Sequence, residues 1–165
     1  MADNSKLEIN TSLKIQKPLR EVFEGIADPI KMSNYFIGKS SGRIEEGKTI
    51  MWQFPEFEMQ FPIRVDRVER DKYISWFWAN PEDKVETKVE ITLQPMRDGV
   101  MVTITEKSRD MDAAGLKWLA GNTGGWANFL ACLKAYLEYG INLRKGAYEG
   151  LHKGSATKEA AGGTT

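Results

Sequence analysis

The sequence predicts one α+β domain, a curved antiparallel sheet of six or seven strands around a long C-terminal helix, with two short helices after the first strand. Three observations predict it. Apolar and polar residues alternate with period two through most of residues 39–107. The alternation gives way after Ser108 to apolar residues recurring every three or four positions. A shorter stretch of helical spacing separates the first strand from the rest. Strands that are apolar on one face need a cover, and a single striped helix supplies it.

Leu7, Ile9, Leu13 and Ile15 alternate with polar residues and read as the first strand. Pro18 then opens a helix at the position proline tolerates best. Leu19, Val22, Phe23 and Ile26 form its apolar stripe. Asp28-Pro29 ends this helix and caps a second short one, from Ile30 to about Tyr35. Ile50, Trp52 and Phe54 share one strand face, and Phe57, Met59, Phe61, Ile63 and Val65 share the next. A turn at Pro55-Glu56 sets Trp52 opposite Met59 and makes the two apolar faces coincide; the loop is a residue longer if Pro-Glu resists so tight a turn. Pro62 marks an edge or a bulge. Tyr73 to Trp78 is a further strand. The strictest alternation runs from Val85 to Leu93, a half-buried strand that turns at Asp98-Gly99 into Val100, Val102 and Ile104. A linking segment then holds Leu116, Trp118 and Leu119. The long helix is predicted from Asn122-Thr123 to about Tyr148, striped by Trp126, Phe129, Leu130, Leu133, Leu137 and Ile141.

These elements divide the chain into a flexible N-terminus at 1–6, the domain at 7–148 and a disordered tail at 149–165, whose end is small and polar. With 165 residues and 41% hydrophobic content, the chain needs neither disulfide nor metal to hold a core. Lys plus Arg and Asp plus Glu both number 23. That balance argues against nucleic acid or an anionic membrane as the main partner. One cysteine, Cys132, excludes an intrachain disulfide and fits a reducing cytoplasm. The first ten residues lack the apolar run of a signal peptide, and no stretch suits a membrane span.

Several short matches occur in a consistent order: Ile15, Pro18 and Val22-Phe23; Asp28-Pro29; Gly42-Arg43 to Gly47; Val68-Glu69 to Trp76; Val102-Thr103-Ile104-Thr105; and Gly124-Gly125-Trp126 with Leu130 and Leu133. In these the chain resembles the helix-grip (START-like, Bet v 1-like, SRPBCC) superfamily over about residues 7 to 143. Within it the chain is similar to bacterial relatives of the C-terminal domain of the activator of Hsp90 ATPase. The resemblance implies the fold. It also implies a choice of roles, since similar members include lipid carriers, polyketide aromatase/cyclases and a co-chaperone domain. Many bacterial relatives carry a His after the Val-Thr-x-Thr strand; Glu106 stands there in this chain.

Candidate chemistry is sparse. No phosphate-binding glycine loop, nucleophile elbow or zinc-binding pair of histidines occurs. The lone His152 lies in a polar segment without a carboxylate or thiol beside it. Cys132 sits near the helix stripe, as a buried inert thiol does. Gly124-Gly125 opens the predicted helix, where a close approach to the sheet or an anion explains it. No catalytic residue, metal ligand or cofactor is therefore assigned.

The aromatic residues are more informative. Trp52, Met59, Phe61, Trp76, Trp78 and Phe129 are expected to line a largely apolar cavity between helix and sheet, with Trp118, Trp126 and Leu133 beside them. The alternative is that they form plain core. Glu106 follows Val100, Val102 and Ile104 in alternation, so it points inward near one mouth of the cavity, or reaches solvent if the strand ends first. Tyr136 is the one further polar candidate. The expected role is non-catalytic binding of a hydrophobic small molecule or lipid. A protein-interaction module with a chaperone partner is the alternative, and an aromatase/cyclase-like enzyme the third.

Overall fold

The structure is a computed structural model and describes residues 6–151. Strand β1 (Lys6–Ile15) leads into helices α1 (Leu19–Ala27) and α2 (Pro29–Met32). Strands β2 (Lys39–Ser40), β3 (Thr49–Gln53), β4 (Gln60–Glu69), β5 (Tyr73–Ala79), β6 (Glu86–Met96) and β7 (Gly99–Asp110) follow, and α3 (Ala113–Tyr139) closes the fold. The seven strands form one antiparallel sheet in the order β1-β7-β6-β5-β4-β3-β2. Only the β1–β7 pairing joins distant parts of the chain. The rest is a meander, as short turns favour.

The alternating residues make the core, as the sequence predicts. Ile50, Trp52, Ile63, Val65, Ile74, Trp76, Val89, Ile91, Leu93, Val100, Val102 and Ile104 are all buried on the concave face. Pro18 stands just outside α1 rather than within it. The Asp28 side chain accepts from the Ile30 backbone N–H at 2.9 Å and caps α2, which ends earlier than predicted.

The β3–β4 loop is longer than the predicted turn. Trp52 faces Phe61 and Ile50 faces Ile63, so residues 54–59 lie outside the ladder. The register has moved by two residues. An even shift preserves which side chains face inward, so the faces are right although the partners are not. Met59 leaves the strand and is exposed. Pro62 lies on β4 before its ladder with β5 begins at Arg64, where a missing N–H costs nothing, and β4 is bulged between Val65 and Arg67.

The long helix has the predicted length but begins about ten residues earlier. It spans 27 residues, about 40 Å at 1.5 Å per residue. Asp112 starts it, its carboxylate accepting from the Gly115 N–H at 2.7 Å. Gly140, left-handed at φ 65°, stops it. The predicted link holding Leu116, Trp118 and Leu119 is therefore the first part of α3, and the chain after Gly140 is irregular and then runs in turns from residue 143. Gly124-Gly125 lies inside the helix, not at its start. A Cβ at either glycine would meet nothing within 4 Å, so the expected close approach is not there. It occurs at Gly115, where a Cβ would stand 1.9 Å from the Asp110 carbonyl oxygen.

Helix α3 runs closest to β1, with lighter contact to β7 and α1. It therefore follows one edge of the sheet and leaves the β3–β5 side to other covers. Phe36, just after α2, packs edge-on against Trp52 at 5.8 Å and Phe129 at 4.7 Å.

Candidate functional site

Glu106 points inward, as its alternation requires, and is fully buried. Four donors converge on it. Trp78 Nε1 (2.9 Å) and Thr87 Oγ1 (2.6 Å) donate to Oε2. Trp126 Nε1 (2.9 Å) and Asn122 Nδ2 (3.0 Å) donate to Oε1. Trp78, Thr87 and Glu106 come from three adjacent strands, while Asn122 and Trp126 are four apart on one face of α3. The carboxylate thus ties sheet to helix. Indole N–H and amide NH₂ groups only donate, so both oxygens act as acceptors and the four acceptor positions of the carboxylate are filled.

This arrangement fixes two aromatic rings. Trp78 and Trp126 stack with centroids 5.5 Å apart and planes 29° apart, and both turn their N–H edges to Glu106. Beyond them a cavity of about 300 Å³ opens, walled by Phe36, Phe54, Phe57, Trp78, Trp126 and Tyr148, with Asn122, Glu56 and Arg144 as its polar groups. A second cavity shares Phe57 and Asn122 and extends past Met59, Phe61 and Trp118.

The ten predicted residues therefore separate. Trp78 and Trp126 wall the first cavity, and Met59, Phe61 and Trp118 the second. Trp52, Trp76, Phe129 and Leu133 are at most 2% exposed and line neither. Trp76 packs on Trp52 at 5.4 Å and on Trp126 at 6.1 Å. Four of the expected lining residues are thus buried core, and these two cavities lie toward one end of the helix. The reason is that Phe36, from the segment after α2, joins Trp126 and Phe129 of α3 over Trp52 and Trp76, so two elements and not the helix alone cover the β3–β5 side. Glu106 sits behind the cavity wall rather than at its mouth.

The segment after α3 completes the site. Arg144 Nη2 pairs with Glu56 Oε2 at 2.9 Å, both side chains largely buried. Its guanidinium lies 4.5 Å from the Tyr148 ring centroid and 5.4 Å from that of Phe54, favourable cation–π placements. Asn128 Nδ2 donates to the Tyr148 hydroxyl at 3.1 Å. These contacts draw residues 144–148 against the 54–59 loop and close one side of the cavity. The sequence signal for this is an Arg and a Tyr four apart, which the helix predicted to about Tyr148 takes in as helical.

Nucleophiles are quiet here. Cys132 is buried, and burial pushes its thiol up. Burial pushes the Tyr35 phenol well up, and its hydroxyl donates to the Gly25 carbonyl at 2.9 Å. Tyr136 stacks on that ring at 5.8 Å. Among the described residues no group of three or more His, Cys, Asp or Glu is placed to hold a metal, and no helix is long and apolar enough to cross a membrane. His152 and the tail from Ser155 lie outside the described residues, as does the N-terminus before Lys6.

Comparison with known proteins bears on this geometry. The family described as "Activator of Hsp90 ATPase homolog 1-like protein" matches residues 16–138. Among solved structures, a Staphylococcus saprophyticus protein is 34% identical with a TM-score of 0.74, covering 84% of this chain and 96% of its own. The Aha1 dimer from Colwellia psychrerythraea is 21% identical, with a TM-score of 0.70 over 82% of this chain and 99% of that one. CalU16 from Micromonospora echinospora is 18% identical, with a TM-score of 0.66 over 94% of this chain and 89% of that one. The last two show the fold alone. No curated protein matches the chain.

Proposed function

Because the chain belongs to the family of Activator of Hsp90 ATPase homolog 1-like proteins, whose helix-grip fold suits ligand binding, we propose that it binds a hydrophobic small molecule without chemical change, at the open end of the grip. The observation that carries this reading is the aromatic cavity beside Trp78 and Trp126. Its size and apolar lining with a few polar groups are those of a small-molecule site. A flat apolar molecule there gains about 25 cal/mol per Å² of apolar surface buried. The non-catalytic part rests on Glu106. An acid or base must reach the proton it moves, and this carboxylate is fully buried with four donors already on its oxygens.

Titration with N-phenyl-1-naphthylamine, a neutral fluorescent probe, tests the reading. Its emission should rise on binding. Phe57→Ala, on the cavity's outer wall, should weaken binding several-fold, and the outward Glu90→Ala should not. No rise with the native protein, or equal binding by Phe57→Ala, would overturn it.

A further inference from the structure

The cavity's polar groups are unevenly matched. Both indole N–H groups of its wall are turned to Glu106, and so is the amide nitrogen of Asn122. The two indoles, with one N–H each, are thus engaged, and Asn122 gives one of its two Nδ2–H groups to the same carboxylate. Asn122 also keeps an acceptor, Oδ1. Asn122 Nδ2 faces Glu106 Oε1 at 3.0 Å, which turns Oδ1 away from the carboxylate. Oδ1 has no hydrogen-bond partner among the described residues, and it is not one of the buried polar atoms left unpaired. It is therefore open to a ligand. Asn122 lines both cavities of this end, at the place where they meet. At the rim, the guanidinium of Arg144 is paired with Glu56, and its Nε is buried out of reach. Tyr148, in the same lining, accepts from Asn128 Nδ2 and keeps its own O–H.

Resting on the binding role proposed above, we infer that Asn122 determines specificity at this site and that the ligand class is a flat aromatic molecule carrying an O–H or N–H donor, such as a phenol. The donor bonds to Asn122 Oδ1 while the ring lies against Trp78, Trp126 and Phe57. An isosteric ligand offering only an acceptor leaves Oδ1 without a partner, and that costs affinity. Glu106 acts through Asn122 as a positioning residue. It holds the amide in the one orientation that presents an acceptor.

Calorimetric titration with 2-naphthol and with 2-methoxynaphthalene tests this, since the two share a ring system and differ in the donor. The native protein should bind 2-naphthol about three- to ten-fold more tightly, the range of one neutral hydrogen bond. In Asn122→Ala the ratio of the two affinities should fall to about one, and the ratio is insensitive to a general loosening of the cavity. Equal binding of both ligands by the native protein would overturn the inference while leaving the cavity's binding role standing. A preference for 2-naphthol that survives in Asn122→Ala would overturn it too. Failure of both ligands to bind would overturn the binding role itself, and this inference with it.

Discussion

The two halves of α3 meet the sheet in different ways. The C-terminal half is a close-packed seam in which Leu133 and Leu137 stand beside Phe129 and Tyr136, both packed on the Tyr35 ring. Leu133 is fully buried, and Gly25 of α1 approaches so closely that a Cβ there would meet Leu137 at 3.2 Å. Its polar ties are peripheral: Lys134 Nζ donates to the Lys14 carbonyl at 3.2 Å, and the Gln16 N–H donates to Glu138 at 3.2 Å. The N-terminal half carries Asn122 and Trp126 instead, tied to a buried carboxylate, with aromatic rings and open space beyond. The seam's side chains interdigitate and leave no room. Large rings held at their polar edges cannot slide together to fill every gap. One helix thus serves as a clamp along one half and as a cavity wall along the other.

The largest expected contrast is between Leu133→Ala and Phe61→Ala. The first opens a cavity in the seam and should cost about 2–5 kcal/mol. The second removes a half-buried ring at the open end and should cost about 1 kcal/mol. Urea denaturation measures both. Equal losses would mean that the two halves are packed alike.

Glu106→Gln should come next. An amide nitrogen in place of one carboxylate oxygen cannot accept from the donors that face it, and each buried donor left over costs about 1–3 kcal/mol. Tryptophan emission should change as well, because Trp78 and Trp126 lose a shared acceptor. Native stability with native emission in this variant would show that the carboxylate does not hold the wall.

Gly124→Ala should act in the opposite direction. The residue is exposed inside the open half of the helix, and a Cβ there meets nothing within 4 Å. Replacing a helical glycine should stabilise by about 0.5–1 kcal/mol. A loss on thermal or urea unfolding would place an unseen constraint on that face.

The smallest effect belongs to the clamp's periphery. Burial opposes the charge on Glu138, but the Lys134 ammonium and the Gln16 N–H prevail and hold its carboxyl below the ordinary 4.5. A lowered folded value means that this stabilisation is present above about 4.5 and fades as pH falls through the lower folded value. Glu138→Gln should therefore flatten the stability profile below pH 4.5 and leave the Glu106 network untouched. An unchanged acid slope would remove this ion pair from the account.

Much of the fold was legible because parity is robust. The β3–β4 register moved by two residues, yet Trp52, Ile63 and Val65 still faced inward. The same parity placed Glu106 inside after Val100, Val102 and Ile104. The limits of α3 were harder to read. Gly121, Gly124 and Gly125 lower helix propensity and suggest a start among them, at Asn122-Thr123, while Asp112 caps the helix well upstream. With the helix displaced, Asn122 looked like a cap instead of a ligand of Glu106, and Arg144 and Tyr148 looked helical instead of folded back.

Composition, alternation and stripe spacing by themselves determined the α+β class, the inward faces of the strands, the presence of a long last helix and the inward carboxylate. These are local properties, set by which side chains share a face every two or every three to four residues. Only the tertiary structure decided where helix and sheet part, which rings fill the middle, and which four donors meet Glu106. Those depend on contacts between residues such as Thr87 and Trp126, far apart in the chain, whose meeting no periodicity encodes.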